Sequence, residues 1–199
     1  MTQDAIAIRL AAPADARDIA LMSRDLIEDG LGWRYDAARV TRLLRQRETI
    51  ALVATGREPP RRPVLLRSPG APAHPHRMEG AAMAGFAIME FGDERAHLVL
   101  LAVRPTQRRH GVGRRLVEWL VDSARTAGIA SLHLELRASN AAARAFYRAM
   151  GFNETVQVPG YYRGPGGAQE PALRMLRLLR ASDAVAETWT PPTFNPGNR

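Results

Sequence analysis

Arg108-Arg109-His110-Gly111-Val112-Gly113-Arg114 is the densest concentration of chemistry in the chain. It follows an apolar run of strand type, Leu98 to Val103, closed by Arg104-Pro105, and it leads at once into an amphipathic helix. The glycines let the backbone come close to a ligand. The first-turn N–H groups of the helix have no intrahelical partner, and its dipole adds positive potential at the same end. Arg108, Arg109 and Arg114 supply full charges beside those donors, so a di- or triphosphate is the natural guest. A tight connection without a ligand is the plainer alternative. Spacing excludes two common phosphate motifs: the glycines are not G-x-G-x-x-G, and no Lys-Ser or Lys-Thr follows Gly113.

The elements that must carry this loop can be read in order. Ala5 to Leu10 alternates as a first strand. Pro13 suits the first turn of a helix whose apolar face, Ile19, Met22 and Leu26, runs up to Asp29. Gly30 and Gly32 break it. Asp36 is an N-cap for a second helix with Val40, Leu43 and Leu44 on one side, and Ile50 to Thr55 is a short buried strand. From Arg57 to Gly80, seven arginine or histidine side chains and six prolines replace any periodic pattern, which reads as a long mobile loop inserted between two strands. Ala81 to Phe91 and Arg95 to Val103 are the next strands, joined by a turn at Gly92-Asp93.

The helix after the glycine loop buries Leu116, Val117, Leu120, Val121 and Ala124, and Gly128 ends it. Ser131 to Leu136 alternates, with Leu132, Leu134 and Leu136 on one face and His133 and Glu135 on the other. Ser139 or Asn140 caps a helix from Ala141 to Met150, closed by Gly151. Phe152 to Val158 and Ala172 to Leu178 are two further strands joined by a loop from Gly160 to Glu170. The expectation is an α/β (α+β) domain over residues 1–180, a mixed sheet of about seven strands flanked by about four helices. Residues 181–199, proline-rich and without periodicity, read as a disordered tail.

Bulk properties narrow the function. The chain has 199 residues, 46% of them hydrophobic, enough for one domain with a full core. No apolar run approaches the roughly 20 residues of a membrane helix, and the N-terminus lacks a secretory layout, so the expected location is the cytoplasm. With no cysteine, disulfides, thiolate metal sites and cysteine nucleophiles are excluded. All 28 basic residues are arginine, spread along the chain, and aromatic content is 6%. The formal charge of +8 therefore argues for anionic partners in general and against a single-strand stacking platform. His97, His110 and His133 show no metal-ligand spacing, so no metal is expected.

The run Arg108 to Gly113 fits R/Q-x-x-G-x-G/A, and Val103-Arg104-Pro105 precedes it as at the end of a fourth strand. In these residues the chain resembles the GNAT superfamily of N-acetyltransferases, whose loop of this kind binds the pyrophosphate of acetyl-coenzyme A (acetyl-CoA). Leu134-Glu135-Leu136-Arg137-Ala138-Ser139-Asn140, Phe146-Tyr147 and Gly151-Phe152-Asn153-Glu154 carry a narrower resemblance, to the bacterial ribosomal-protein-alanine N-acetyltransferases. It covers roughly Leu98 to Met175. The resemblance implies acetyl-CoA as co-substrate, held by Arg108, Arg109, His110, Gly111, Val112, Gly113 and Arg114. It also implies hydrogen bonds from the backbone of Leu101, Ala102 and Val103 to the acetyl and pantetheine groups, and a contact from Asn140. Glu135 becomes the catalytic base and Tyr147 the acid at the departing thiolate.

Elementary chemistry bears on each role. A peptide α-amine titrates near 8, a lysine near 10.4, and a free glutamate at about 4.3 is a poor base for either. Glu135 is therefore expected to act through water or with a pKa raised by burial. A surface strand carboxylate is the alternative for Glu135, a packed core tyrosine for Tyr147, and a simple helix cap for Asn140. Trp33, Tyr161 and Tyr162 are candidate acceptor-binding residues, the tyrosines in a glycine-rich loop over the site, although Trp33 could equally plug a hydrophobic hollow. The acceptor amine is read as the N-terminus of a protein, ribosomal or other. A small-molecule amine, a protein lysine, and a non-catalytic acyl-CoA sensor remain the alternatives.

Overall fold

The computed structural model describes residues 6–56 and 82–180. The inserted stretch 57–80 and the tail 181–199, together with the expectations attached to them, lie outside the described residues. The strands are β1 (Ala7–Leu10), β2 (Thr49–Gly56), β3 (Ala82–Phe91), β4 (Arg95–Val103), β5 (Ser131–Arg137), β6 (Asn153–Arg163) and β7 (Gln169–Leu178), and the helices are α1 (Ala16–Leu26), α2 (Ala37–Leu43), α3 (Val112–Thr126) and α4 (Ala141–Ala149). One sheet contains all seven strands in the order β1-β2-β3-β4-β5-β7-β6. Every neighbouring pair is antiparallel except β4 and β5. That parallel pair needs a crossover, and α3 supplies it.

Both faces of the sheet are covered. The stripe Leu116, Val117, Leu120, Val121 and Ala124 of α3 packs with Ala96, Leu98, Leu132 and Leu134 in one core. Ile19, Met22 and Val40 of α1 and α2 pack with Phe86, Ile88, Leu100 and Ala102 in the other. Each large apolar side chain so buried stabilises the fold by roughly 1.5–3 kcal/mol before entropy is counted. The caps are as expected: the carboxylate of Asp36 accepts from Arg39 N–H at 2.7 Å, and the amide oxygen of Asn140 accepts from Ala143 N–H at 3.0 Å. Helix α1 stops at Leu26, short of the expected Asp29. Glu28 pulls the chain out of the helix, because its buried carboxylate accepts from the N–H groups of Arg34 and Tyr35 and from the Ser23 hydroxyl.

A bulge in β4 sets the facing of that strand's second half. Met89 pairs with Leu98 but Ile88 pairs with Leu100, so Val99 is an extra residue. An inserted residue reverses the facing of everything after it. Ala96 and Leu98 accordingly lie in the α3 core, whereas Leu100 and Ala102 lie in the α1–α2 core. The bulge coincides with a parting of strands. Parallel pairing of β4 with β5 covers Arg95, Ala96 and His97 and goes no further among the described residues.

Candidate active site

The glycine loop enters the left-handed region at two positions. Among the described residues Arg109 is the one non-glycine with positive φ, at 67°, and Gly111 follows at 78°. An arginine held there is strained by about 1 kcal/mol or more, a cost typical of ligand-binding turns. The first helical bond of α3 runs from Arg115 N–H to the Gly111 carbonyl at 3.0 Å. The N–H groups of Val112, Gly113 and Arg114 therefore lack acceptors on the preceding turn and point out of the helix end. Arg108 donates from Nε to the Val103 carbonyl at 3.1 Å, which ties the loop to the end of β4. Arg114 lies 3.7 Å from Glu118 on the exposed side of α3, and His110 is exposed. The two glycines differ in their demands. A Cβ on Gly113 would meet Phe146 at an ordinary 3.4 Å, whereas Gly111 needs the left-handed region.

Leu101, Ala102 and Val103 lie on the part of β4 that has separated from β5. Pairing with β3 continues through Leu101, Ala102 and Val103, so their sheet contacts are on that side. The opposite edge faces the gap, which leaves backbone donors available to an extended ligand lying between the strands. These donors, the loop and the helix end form a continuous polar track suited to a pantetheine diphosphate.

On the α1–α2 side of the sheet stands Glu135, its side chain 5% exposed. Its Oε2 lies 2.7 Å from His97 Nε2, and its Oε1 accepts from Arg174 Nε at 2.9 Å. Arg174 is directly opposite Glu135 on β7, and His97 is the last residue of β4 paired with β5. Burial, the largest single influence, pushes the Glu135 carboxyl up, but His97 and then Arg174 together outweigh it, so it titrates below its ordinary value. This corrects the expectation of a base raised by burial: an opposite charge and hydrogen bonds to the ionised form overcome desolvation. His133 sits in register beside His97, buried, its Nε2 2.9 Å from the Ser131 hydroxyl, and burial lowers it to about 4.

Tyr147 is buried in the α3 core between Phe146 and Phe152, both edge-on, with centroids at 5.1 and 5.5 Å. Burial raises its phenol above the ordinary value. Burial also raises Tyr162, followed by its neighbour Tyr161 and the charge of Glu135. Asn140 serves as the N-cap of α4, with its side-chain oxygen committed to Ala143.

Tyr161 and Tyr162 are not in a loop. They belong to β6, which continues to Arg163 and pairs Tyr162 with Glu170 and Arg163 with Gln169 of β7. Irregular register between Val158 and Tyr162, with Gly160 at φ 61°, lets the strand resume after the proline and glycine that made it read as a turn. The two rings meet edge to face at 5.0 Å. Tyr161 is pushed up to about 12 by burial and then by the charge of Glu135. Trp33 lies in the α1–α2 connection, half exposed, and donates to the Tyr35 carbonyl at 3.2 Å, with Arg24 over its ring.

The α1–α2 connection and the β6–β7 turn are braced together. Arg137 donates to the Asp29 carbonyl, and a Cβ on Gly164 would lie 2.8 Å from the Gly30 carbonyl. Gly164→Ala must therefore separate the two segments. We expect KM for the acceptor to rise about tenfold with KM for acetyl-CoA unchanged, measured by steady-state kinetics with each substrate varied. An unchanged acceptor KM would show that this contact does not shape the acceptor side. Sequence reasoning missed Glu28, His97, Arg174 and this glycine contact. A charged Arg174 inside the apolar alternation of β7 was the one available signal.

Comparison with known proteins identifies the family. Residues 43–152 match the acetyltransferase (GNAT) family. A ribosomal protein bS18-alanine N-acetyltransferase of Escherichia coli is 41% identical over 100 residues, 50% of this chain and 68% of that one. The crystal structure of the ribosomal-protein-S18-alanine N-acetyltransferase from E. coli superposes with a TM-score of 0.66 at 24% identity, covering 92% of this chain and all of the other. Arabidopsis thaliana NAA60 in complex with acetyl-CoA superposes at 0.68 with 16% identity, covering 87% of this chain and 98% of that one. The chain belongs to the GNAT acetyltransferase family and is an N-acetyltransferase.

Proposed function

We propose that this enzyme transfers the acetyl group of acetyl-CoA to the N-terminal α-amine of a protein, with a ribosomal protein as the leading candidate. The observation that carries the reading is the tyrosine pair on β6. Tyr161 and Tyr162 meet edge to face at 5.0 Å on β6, and the charge of Glu135 acts on both, so they offer aromatic walls to an acceptor. Together with Trp33 on the α1–α2 connection they suit an extended peptide whose first amine enters the gap between β4 and β5. The name of the E. coli relative supports the same acceptor class. A ribosomal acceptor would put the enzyme's work in the cytoplasm.

Acetyl-CoA supplies an activated thioester, and the chain's own groups do the rest. The N–H groups at the start of α3, with Arg108, Arg109 and Arg114 and the backbone of His110, Gly111, Val112 and Gly113, hold the diphosphate. The free edge of Leu101, Ala102 and Val103 orients the pantetheine arm and the acetyl carbonyl, while Asn140 contributes by capping α4. Glu135 serves proton removal from the amine. Being ionised and doubly hydrogen-bonded, it does so through a neighbour rather than as a free base. Tyr147 faces the leaving sulfur. A phenol above its ordinary value of about 10 gives up its proton reluctantly to a thiolate near 8.5, so its main contribution is a hydrogen bond to the developing charge, worth roughly 1.5–3 kcal/mol.

An acetylation screen tests the acceptor. Peptides with varied N-termini and a panel of free amines are presented to one enzyme preparation. Preference for peptides beginning with alanine or serine, weakened about tenfold or more in Tyr161→Ala and Tyr162→Ala, is the expected result. A free amine turned over with far higher kcat/KM than any peptide would refute N-terminal acetylation.

A further inference from the structure

We propose that His97 is the proton acceptor of the reaction, and that Glu135 acts on it as the carboxylate that fixes its tautomer. The proposal deepens the reading of the site as one for amine acetylation and rests on it. An ionised carboxylate can only accept hydrogen bonds. Both oxygens of Glu135 are engaged, one by Arg174 Nε and the other at 2.7 Å by His97 Nε2. The bond to His97 therefore has its proton on Nε2, and whenever the ring is neutral its lone pair is on Nδ1. Each oxygen of Glu135 already accepts one hydrogen bond, which lowers its basicity, whereas the second ring nitrogen of His97 is the one turned away from the carboxylate. A buried carboxylate that sets the tautomer of an imidazole and stabilises its cation is an established arrangement for general-base catalysis.

Position favours the same assignment. His97 ends the paired part of β4, at the apex of the opening into which an acceptor amine must come. Its side chain is 34% exposed against 5% for Glu135. It also lines an open cleft with Glu90, Gly92, Asp93, Arg95, Ala96 and His133, which gives a proton a way to solvent. The charged and titratable groups around it are Glu135 and His133 on β5, Arg174 on β7 behind Glu135, Glu90 opposite on β3, Asp93 in the turn, and Arg95 on its own strand. The step balances. One ammonium proton passes to His97 Nδ1, the freed nitrogen pair forms the C–N bond, the C–S bonding pair leaves with sulfur, and the second N–H proton, shed as the amide forms, ends on the thiolate to give the thiol. Deprotonation of His97 into the cleft resets the ring.

The test uses the full chain. Histidine nitrogen NMR on the wild type reads the tautomer without any acceptor present. We expect His97 to carry its proton on Nε2, and Glu135→Gln to redistribute it. His97→Gln is expected to lose about 100-fold in kcat/KM at neutral pH, with KM for acetyl-CoA and Tm unchanged, and to lose the acid limb of the pH profile. Histidine is the side chain that ordinarily changes charge between pH 5 and 8. Added imidazole should restore turnover to His97→Ala and not to Glu135→Gln. A His97 ring protonated on Nδ1 and bare at Nε2, or a His97→Gln enzyme with wild-type kcat/KM and pH profile, overturns the proposal while leaving the acceptor reading intact. Failure of the peptide screen overturns the acceptor reading while leaving the tautomer result intact.

Discussion

Glu135→Gln is expected to lower kcat/KM by roughly 10²–10⁴-fold, the range ordinarily contributed by positioned acid–base groups. The amide cannot stabilise a cationic His97, and its N–H group can force the ring into the wrong tautomer. The same change is expected to reduce stability. Glu135 and Arg174 are a cross-strand pair with side chains 5% and 11% exposed, and removing one charge of such a pair leaves the other poorly compensated in the interior, at a cost of about 3 kcal/mol. For a domain of this size that is roughly 6–12 °C in Tm.

The pH dependence has a definite sign. The Glu135 carboxyl titrates below its ordinary value of 4.5. Its contribution is fully present above that unfolded value and is lost as pH falls through the lower folded one. The gap in stability between wild type and Glu135→Gln should therefore close in acid, once pH falls below the ordinary carboxyl value. Denaturant titrations at a series of pH values measure it. A gap that widened in acid would mean that the ionised carboxylate is not what Arg174 and His97 stabilise.

Gly111→Val is expected to abolish useful acetyl-CoA binding. Gly111 holds φ 78° at the N-cap of α3, a region that a β-branched residue enters only under strain of about 1–2 kcal/mol. Relaxing that strain rotates the peptide units that aim the first N–H groups of α3. Loss of two charge-assisted contacts at about 1.5 kcal/mol each is about 3 kcal/mol, or roughly 100-fold in affinity. Gly111→Asn should fall between the valine variant and the wild type, because asparagine tolerates the left-handed region best after glycine. Calorimetry with coenzyme A gives the order directly. Equal affinity in the valine variant would remove the loop from the binding site.

Local pattern was sufficient for much of this protein. The glycine loop and its arginines are contiguous, so the turn that leads into α3 could be named from six residues. Asp36 and Asn140 cap their helices because a short polar side chain before a helix meets the free N–H groups a few residues on. The alternation of β5 correctly put Glu135 on the face away from Leu132, Leu134 and Leu136. Each of these depends on contacts within a few residues, where spacing alone fixes geometry.

The rest was decided by pairing at long range. A bulge at Val99 has no signature in a run of apolar residues, yet it reverses the facing of the second half of β4. Tyr161 and Tyr162 sit after a proline and a glycine and look like turn residues, but β7 offers them partners and the strand resumes. Glu135 meets His97 38 residues away and Arg174 39 residues away, and only the sheet order brings those three strands side by side. Isolated, the carboxylate reads as a base awaiting a raised pKa. Between a histidine and an arginine its carboxyl titrates below the ordinary value. Spacing along a chain specifies which groups can share a face, whereas the energy that sets their protonation depends on charges brought within hydrogen-bond distance from other strands.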